Sequence, residues 1–276
     1  MKKVLFSLSV LSLAVAANAQ VLLSGGLTYS QNFDTLASAV VGTNPTWTDN
    51  TTLPGWYASR AYTAGTTSAY GPYAYTSYRI DAGTSTSGLL YSYGVAGVNP
   101  VTDRALGSLG SGTPKHNAFG VRVANDTASA VDTVTISYTG EQWRNGGNTA
   151  AHTLVFAYQV SASPFASPIE TTNVGWTAFS ALNFVSPTIG ATAAALDGNL
   201  AANRTVFSGV VLTGVTVNPG QEIFLRWFDQ DDAGNDHAFG VDDFSVSASV
   251  VVPEPATAAL GGLAALGFLL FRRNRR

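Results

Sequence analysis

Two stretches in the middle of the chain alternate apolar and polar residues with a period of two. Phe119, Val121 and Val123 are separated by small or charged residues, and from 133 to 138 each apolar residue follows a threonine or a serine. Successive side chains of a strand point to opposite faces, so this alternation is typical of sheets with one buried face. Patterns with the helical period are scarce. We therefore predict an all-β fold, a jelly-roll-like antiparallel β-sandwich of roughly eight to eleven strands.

The absence of cysteine limits how such a sandwich is stabilised. None of the 276 residues is a cysteine, which excludes disulfides, thiol nucleophiles and thiolate metal sites. Stability must then come from a buried core, helped by any bound ion. Residues 20–250 are long enough for one large β domain, which we favour over two small ones.

The predicted domain at 20–250 is acidic. Without the two terminal segments, the 14 basic residues fall to 8 and the 17 acidic residues to 16, so the formal net charge moves from −3 to −8. Nucleic acids and anionic lipids are polyanions that bind through basic patches. The charge therefore argues against nucleic acid as a partner.

The N-terminal segment has the three parts of a secretory signal peptide. Lys2 and Lys3 precede an apolar stretch from Val4 to about Ala16, and Ala17-Asn18-Ala19 supplies the small residues of a cleavage site. The stretch is shorter than the ~20 residues of a membrane-spanning helix, which disfavours an uncleaved anchor. We predict a signal helix at 1–19 that is removed after Ala19.

The C-terminal segment, 251–276, has a Pro-Glu-Pro tripeptide, an apolar run at 256–271 and four arginines, in that order. This order resembles the PEP-CTERM sorting signal of bacterial exported proteins. The resemblance implies processing by an exosortase-type enzyme and an association with the cell envelope and exopolysaccharide. The basic cluster favours a transmembrane sorting helix that anchors the chain transiently in the inner membrane with its body outside; a simple tail anchor is the alternative. The motif residues are Pro253, Glu254, Pro255, Arg272, Arg273, Arg275 and Arg276.

An acidic loop is predicted between two strand-like stretches near the end of the domain. Six of the chain's acidic residues lie within 225–246, and the loop contains Gly234. Carboxylate oxygens on a glycine-containing loop are ligands that calcium prefers, although the spacing is not that of an EF-hand. A solvated acidic turn is the alternative. The sequence requires no cofactor, but it nominates Asp229, Asp231 and Asp236 as ligands of a structural calcium ion.

A second ion site is suggested by motifs at the two ends of the domain. Asn32-Phe33-Asp34 near its start and the stretch 241–246, Val-Asp-Asp-Phe-Ser-Val, near its end resemble jelly-roll carbohydrate-binding modules. The resemblance implies that Asp34 and Asp242 hold a structural calcium ion between the sheets. The alternative is that Asp242 and its neighbour Asp243 cap a strand or pair with Arg226.

Several aromatic residues are candidates for binding a polysaccharide. Sugar rings stack on exposed aromatic faces while polar neighbours bind the hydroxyls, which favours Trp143 with Arg144 beside it. Trp47, Trp56 and Tyr57 form a second candidate group. For every tryptophan, packing in the core is the alternative.

Catalytic patterns are weak in this sequence. The three histidines lack the spacing of a metalloprotease, and there is no Gly-x-Ser-x-Gly elbow. A glycosidase needs two facing carboxylates, and nothing in the sequence brings Glu141 and Glu222 together. We therefore predict a protein without catalytic residues. An extracellular hydrolase that uses Glu141 and His237 is an alternative.

The leading hypothesis is an exported, non-catalytic structural or adhesive protein, located at the outer surface of the envelope or in the extracellular matrix. A carbohydrate-binding module is the second hypothesis, and the hydrolase is the third.

Overall fold

The computed structural model describes residues 20–39, 41–61, 72–95, 103–162 and 174–250. The predicted signal peptide and the sorting segment, with all seven motif residues, lie outside these ranges. Within them, no helix has the length and apolar character needed to cross a membrane. The helices they contain are single 3₁₀ turns at Leu23–Gly25, Ser180–Leu182 and Ala201–Asn203.

The described residues form sixteen strands. They are β1 (Val21–Leu22), β2 (Thr28–Gln31), β3 (Trp56–Ala61), β4 (Tyr73–Ala74), β5 (Arg79–Asp81), β6 (Leu89–Tyr93), β7 (Ala105–Leu109), β8 (His116–Ala124), β9 (Val131–Asn145), β10 (Thr153–Ser161), β11 (Thr177–Ala178), β12 (Phe184–Val185), β13 (Ala194–Ala195), β14 (Arg204–Leu212), β15 (Glu222–Gln230) and β16 (Ala238–Val250).

The strands form two eight-stranded sheets. Sheet one has the order β11-β10-β15-β8-β3-β4, with β1 beside β8 and β12 beside β10. Sheet two has the order β13-β9-β16-β7-β6-β5, with β14 beside β9 and β2 beside β16. The strand pairs are antiparallel except for β1 with β8 and β5 with β6. The predicted all-β sandwich is confirmed, and its jelly-roll connectivity stays a prediction.

The main core lies between the two sheets and is rich in aromatic residues. Trp227 of sheet one stacks on Trp56 at 5.9 Å between ring centroids, and Phe244 of sheet two meets Trp227 edge-on at 5.6 Å. Both alternating stretches place their apolar residues in this core, as predicted. These residues are Phe119, Val121, Val123, Val134, Ile136 and Tyr138.

A smaller apolar cluster covers the opposite face of sheet two. Leu90 points into the main core, so its neighbour Tyr91 and then Tyr93 belong to the other face. Tyr91, Tyr93 and Trp143 stack in a row there, with centroid distances of 4.8 and 5.7 Å. We call this group the outer cluster. It determines the environment of several predicted site residues.

Candidate functional site

The loop at 231–237 joins β15 to β16 and lies beside the start of β10. β10 and β15 are antiparallel neighbours with Val155 opposite Phe228, so the continued register brings His152 next to the loop. His152 Nδ1 is 3.5 Å from Asp232 Oδ2 and 3.7 Å from Asp236 Oδ1. We call these three residues the loop cluster. Among the residues that the structure describes, no other group of three or more His, Asp or Glu has its ligand atoms within 4.8 Å of one another.

The loop cluster combines a neutral base with crowded carboxyl groups. Burial, together with the carboxylates of Asp229 and Asp231, raises the pKa of Asp236 to about 8, against the hydrogen bond that the Asp232 amide donates to Oδ1 at 2.8 Å. Burial also lowers the pKa of the His152 imidazole.

A cleft of about 260 Å³ opens next to the loop cluster. Three of the residues nominated from the sequence line it, namely Arg144, Asp231 and Asp236. Arg144 is held there by the hydrogen bond that Nη1 donates to the carbonyl oxygen of Gly83 at 3.1 Å. The lining is polar and carries both signs of charge, so the cleft suits a hydrophilic ligand.

Asp229 is not part of the loop, contrary to the prediction, and its role as a ligand stays a prediction. Asp229 belongs to β15, is only 2% exposed, and accepts a hydrogen bond from Ser108 Oγ at 2.7 Å. Burial raises its pKa to about 7. Strand alternation turns this side chain into the protein, whereas the loop residues Asp231 and Asp236 reach the cleft.

His237 is a structural residue. Its ring is fully buried, Nδ1 accepts a hydrogen bond from the Gly146 amide at 3.0 Å, and Nε2 lies 3.1 Å from the carbonyl oxygen of Ala150. A neutral imidazole that donates from Nε2 satisfies both contacts. With both ring nitrogens used in this way, His237 is not available as the base of a hydrolase.

The two predicted end motifs are neighbours in sheet two. β2 pairs with β16 with Gln31 opposite Phe244, so Asp34 lies close to the bulge at Asp242 and Asp243. We call Asp34, Asp103, Asp242 and Asp243 the end-motif cluster. Burial raises the pKa values of both Asp34 and Asp242, and the carboxylates of Asp103 and Asp243 contribute to the increase.

The end-motif cluster is more open than a coordination shell. Asp34 Oδ1 accepts a hydrogen bond from the Arg104 amide at 3.2 Å. Burial, followed by the Glu141 carboxylate, raises the pKa of Asp242 to about 9. Among the described residues, neither Asp34 nor Asp242 belongs to a group of three or more His, Asp or Glu with ligand atoms within 4.8 Å of one another. Calcium at these two residues therefore stays a proposal, and an ion there needs further oxygen ligands.

Trp143 is not the exposed platform that the sequence suggested. It is 1% exposed, stacks on Tyr93, and donates from Nε1 to Glu141 Oε2 at 3.0 Å. A Cβ at Gly198 would lie only 2.5 Å from an indole carbon, so the chain at this glycine packs directly on the ring. The second candidate group is also buried. Core packing is therefore the correct interpretation for its members as well as for Trp143. Its members are Trp47, Trp56 and Tyr57.

The two glutamates considered for glycoside hydrolysis lie in different sheets. Glu141 is on β9 of sheet two, is 1% exposed, and has its pKa raised to about 8 by burial. Glu222 is on β15 of sheet one and forms a buried ion pair with Arg122, with Nη2 and Oε2 2.7 Å apart. They do not form a facing pair.

Sequence reasoning did not select His152 or Asp232. Asp232 was one of several oxygen donors in the loop, and His152 lies 80 positions before it in the chain. A correct prediction that the strand after His152 pairs with the strand before Asp232 would have placed the two residues close together.

Comparisons with known proteins identify the C-terminal segment. Residues 251–276 match the PEP-CTERM protein-sorting motif, which confirms the resemblance and indicates an exported protein sorted to the cell envelope by an exosortase. A comparison with curated proteins found no match. Among solved structures, the CBM22-1 xylan-binding domain of Paenibacillus barcinonensis Xyn10C is similar, with 12% identity and a TM-score of 0.32. The match covers 78% of this chain and 99% of that domain. At this score it carries no argument about a ligand.

Proposed function

We propose that this protein is a non-catalytic structural or adhesive component of the cell surface or the exopolysaccharide matrix. The PEP-CTERM motif at 251–276 carries this proposal, because it marks an exported chain for envelope sorting. The body attached to this motif is a two-sheet sandwich with an extensive aromatic core. Because the domain contains no cysteine, its fold does not depend on the redox state outside the cell.

The environments of the two residues considered for catalysis, His237 and Glu141, support the non-catalytic part of the proposal. Both ring nitrogens of His237 are used in hydrogen bonds to the backbone. Glu141 is buried and accepts a hydrogen bond from Trp143 of the outer cluster. A general acid or base must reach substrate, and neither residue is placed to do so.

Two variants of the tail test the sorting step. Deleting 253–276 should move the protein from the envelope fraction to the medium. Replacing only Pro253, Glu254 and Pro255 by alanine keeps the apolar run and the arginines, so a simple tail anchor would hold this variant as it holds the wild type. Exosortase sorting instead predicts that the triple variant accumulates unprocessed in the inner membrane. Unchanged location of both variants would refute the proposal.

The polar cleft favours polysaccharide binding as a second candidate function. Arg144, Asp231 and Asp236 offer hydrogen-bond donors and acceptors of the kind that bind sugar hydroxyls. Pull-down on a panel of insoluble polysaccharides tests this candidate. Binding that is weakened by Arg144→Gln but not by Asp132→Asn, an exposed change on the same strand, would support it. If the protein binds none of these polysaccharides, the second candidate function is excluded for that panel.

A further inference from the structure

The polar cleft beside the loop cluster lies where several segments of the chain meet at one end of sheet two. Ala238 at the start of β16 is paired with Leu109 at the end of β7 and with Arg144 near the end of β9, so these strand ends are neighbours. The loop at 231–237 and Thr86, which lies between β5 and β6, form further walls. The volume of about 260 Å³ is near the lower end of the range of ligand pockets, so the cleft suits a short part of a larger ligand.

Arg144 brings a guanidinium to this cleft. It forms no ion pair with a carboxylate in the part of the chain that the structure describes. Nη1 donates to the carbonyl oxygen of Gly83, and Gly83 is itself pressed against β9, because a Cβ there would overlap the carbonyl oxygen of Trp143. This contact fixes one end of the guanidinium and leaves the side with Nε and Nη2 for a ligand.

The acidic residues of the cleft do not cancel the charge of Arg144. Lys115 Nζ lies 3.8 Å from Asp231 Oδ2, so the Asp231 carboxylate already has a cation beside it. The Asp236 side chain is 5% exposed, and the pKa that burial raises to about 8 keeps it protonated at neutral pH. A protonated carboxyl is a hydrogen-bond donor and carries no negative charge. The cleft is therefore a locally positive site on an acidic domain.

The remaining lining provides small polar groups. Thr86 and Ser111 offer hydroxyls, and Asn235 offers an amide. Four glycines leave the backbone of the wall accessible, namely Gly110, Gly112, Gly146 and Gly234. Hydroxyl, amide and backbone groups fit a ligand with many hydroxyls better than the apolar side chains of a peptide.

The free side of the guanidinium indicates the charged group of the ligand. A planar guanidinium binds a carboxylate through two parallel hydrogen bonds. We propose that the cleft binds a uronic acid residue of an acidic polysaccharide, with Arg144 on its carboxylate and the neighbouring polar groups on its hydroxyls. This assignment depends on the polysaccharide binding proposed above and adds the class of sugar.

Calorimetric titration of the purified full-length protein tests the assignment. The probes are oligomers of galacturonate, glucuronate and mannuronate, each beside its methyl ester, which keeps the hydroxyls and removes the charge. We expect at least one uronate to bind roughly 10- to 100-fold more tightly than its ester, because hydrogen bonds to charged groups are the stronger ones.

Three variants locate the binding. Arg144→Gln should reduce the affinity for the uronate to that for the ester, and should leave the ester within about twofold of the wild type. Arg204→Gln is the matched control, since it removes the same charge from an exposed position on β14 outside the cleft, and should change neither affinity. Gly112→Leu should weaken both ligands by narrowing the cleft. A Cβ at Gly112 would meet no atom within 4 Å, so the fold should tolerate this change.

Several outcomes would overturn the assignment. These are uronates that bind no more tightly than their esters, equal weakening of both ligands by Arg144→Gln, and an oligoglutamate peptide that binds as tightly as the best uronate. If the protein still binds neutral polysaccharides in such a case, the proposed polysaccharide binding stands without the uronic acid. If it binds neither uronates nor neutral polysaccharides, both proposals fail.

Discussion

Truncation of Trp143 is the sharpest test of its role, because a buried residue and an exposed sugar platform predict opposite results. The indole is 1% exposed, stacks on Tyr93 and is covered by the chain at Gly198. Replacing a buried tryptophan by alanine costs about 3 to 5 kcal/mol of unfolding free energy. It also removes the hydrogen-bond donor to the buried Glu141 carboxyl, which adds about 1 to 3 kcal/mol. We expect Trp143→Ala to lose at least about 4 kcal/mol in all.

Two further variants separate the contributions. Trp143→Phe keeps an aromatic ring against Tyr93 but removes the N–H, so it should cost about 2 kcal/mol and less than the alanine change. Trp176→Ala is the control, because Trp176 packs against Phe224 of sheet one and not in the outer cluster. Trp176 is partly exposed and lies under the Arg226 guanidinium at 3.9 Å, so its truncation should cost less than about 2 kcal/mol.

Denaturant unfolding followed by circular dichroism measures all three variants, and an unchanged dependence on denaturant concentration would show that the comparison is valid. A loss below about 1 kcal/mol for Trp143→Ala would refute the reasoning. Such a result, together with lost binding to a polysaccharide, would support the hypothesis that Trp143 is an exposed sugar-binding residue.

Calcium and pH give two further predictions. Calcium at about 100 times its dissociation constant should stabilise the protein by about 2.7 kcal/mol through the end-motif cluster, and Asp34→Asn or Asp242→Asn should remove the effect; equal melting temperatures with calcium and with chelator would exclude this ion. Burial raises the pKa of Glu141 from 4.5 to about 8, so the folded state keeps a proton that the unfolded state loses. Its contribution is complete below the lower value and is lost as pH rises to the higher one, at about 1.4 kcal/mol per pH unit. In chelator, Glu141→Gln should flatten this decline and Asp132→Asn should not; an unchanged slope in Glu141→Gln would contradict the assignment.

Much of the fold could be predicted because its signals are local. The alternation at 119–123 and at 133–138 depends only on neighbouring residues and on the two faces of a strand, and both stretches form strands as expected. The PEP-CTERM segment was recognised for the same reason, since its three parts follow one another directly. The two end motifs lie side by side because β2 pairs with β16 in sheet two, whereas the calcium ion that the resemblance places between the sheets stays a prediction.

The environment of Trp143 could not be predicted because distant chain segments create it. Strand alternation puts this residue on the face of sheet two that is opposite the main core, a position typical of solvent exposure in a sandwich. The chain at Gly83 and Gly198 then packs against it, and the stacked tyrosines of β6 complete the outer cluster. Neither glycine is near Trp143 in sequence, so no local pattern distinguishes a covered outer face from an exposed one.

The loop cluster illustrates why spacing motifs do not find residues that strand pairing brings together. Spacing motifs work when the ligands lie on one helix or in one loop, so that a few bonds determine their separation. Here the β10–β15 ladder determines it instead: a shift of one residue in that register would turn His152 to the other face of the sheet and away from Asp232 and Asp236. The same ladder carries Phe156 and Trp227 into the main core, so the hydrophobic burial that sets the register also sets the distance between imidazole and carboxylates. The position of the loop cluster is therefore a consequence of core packing.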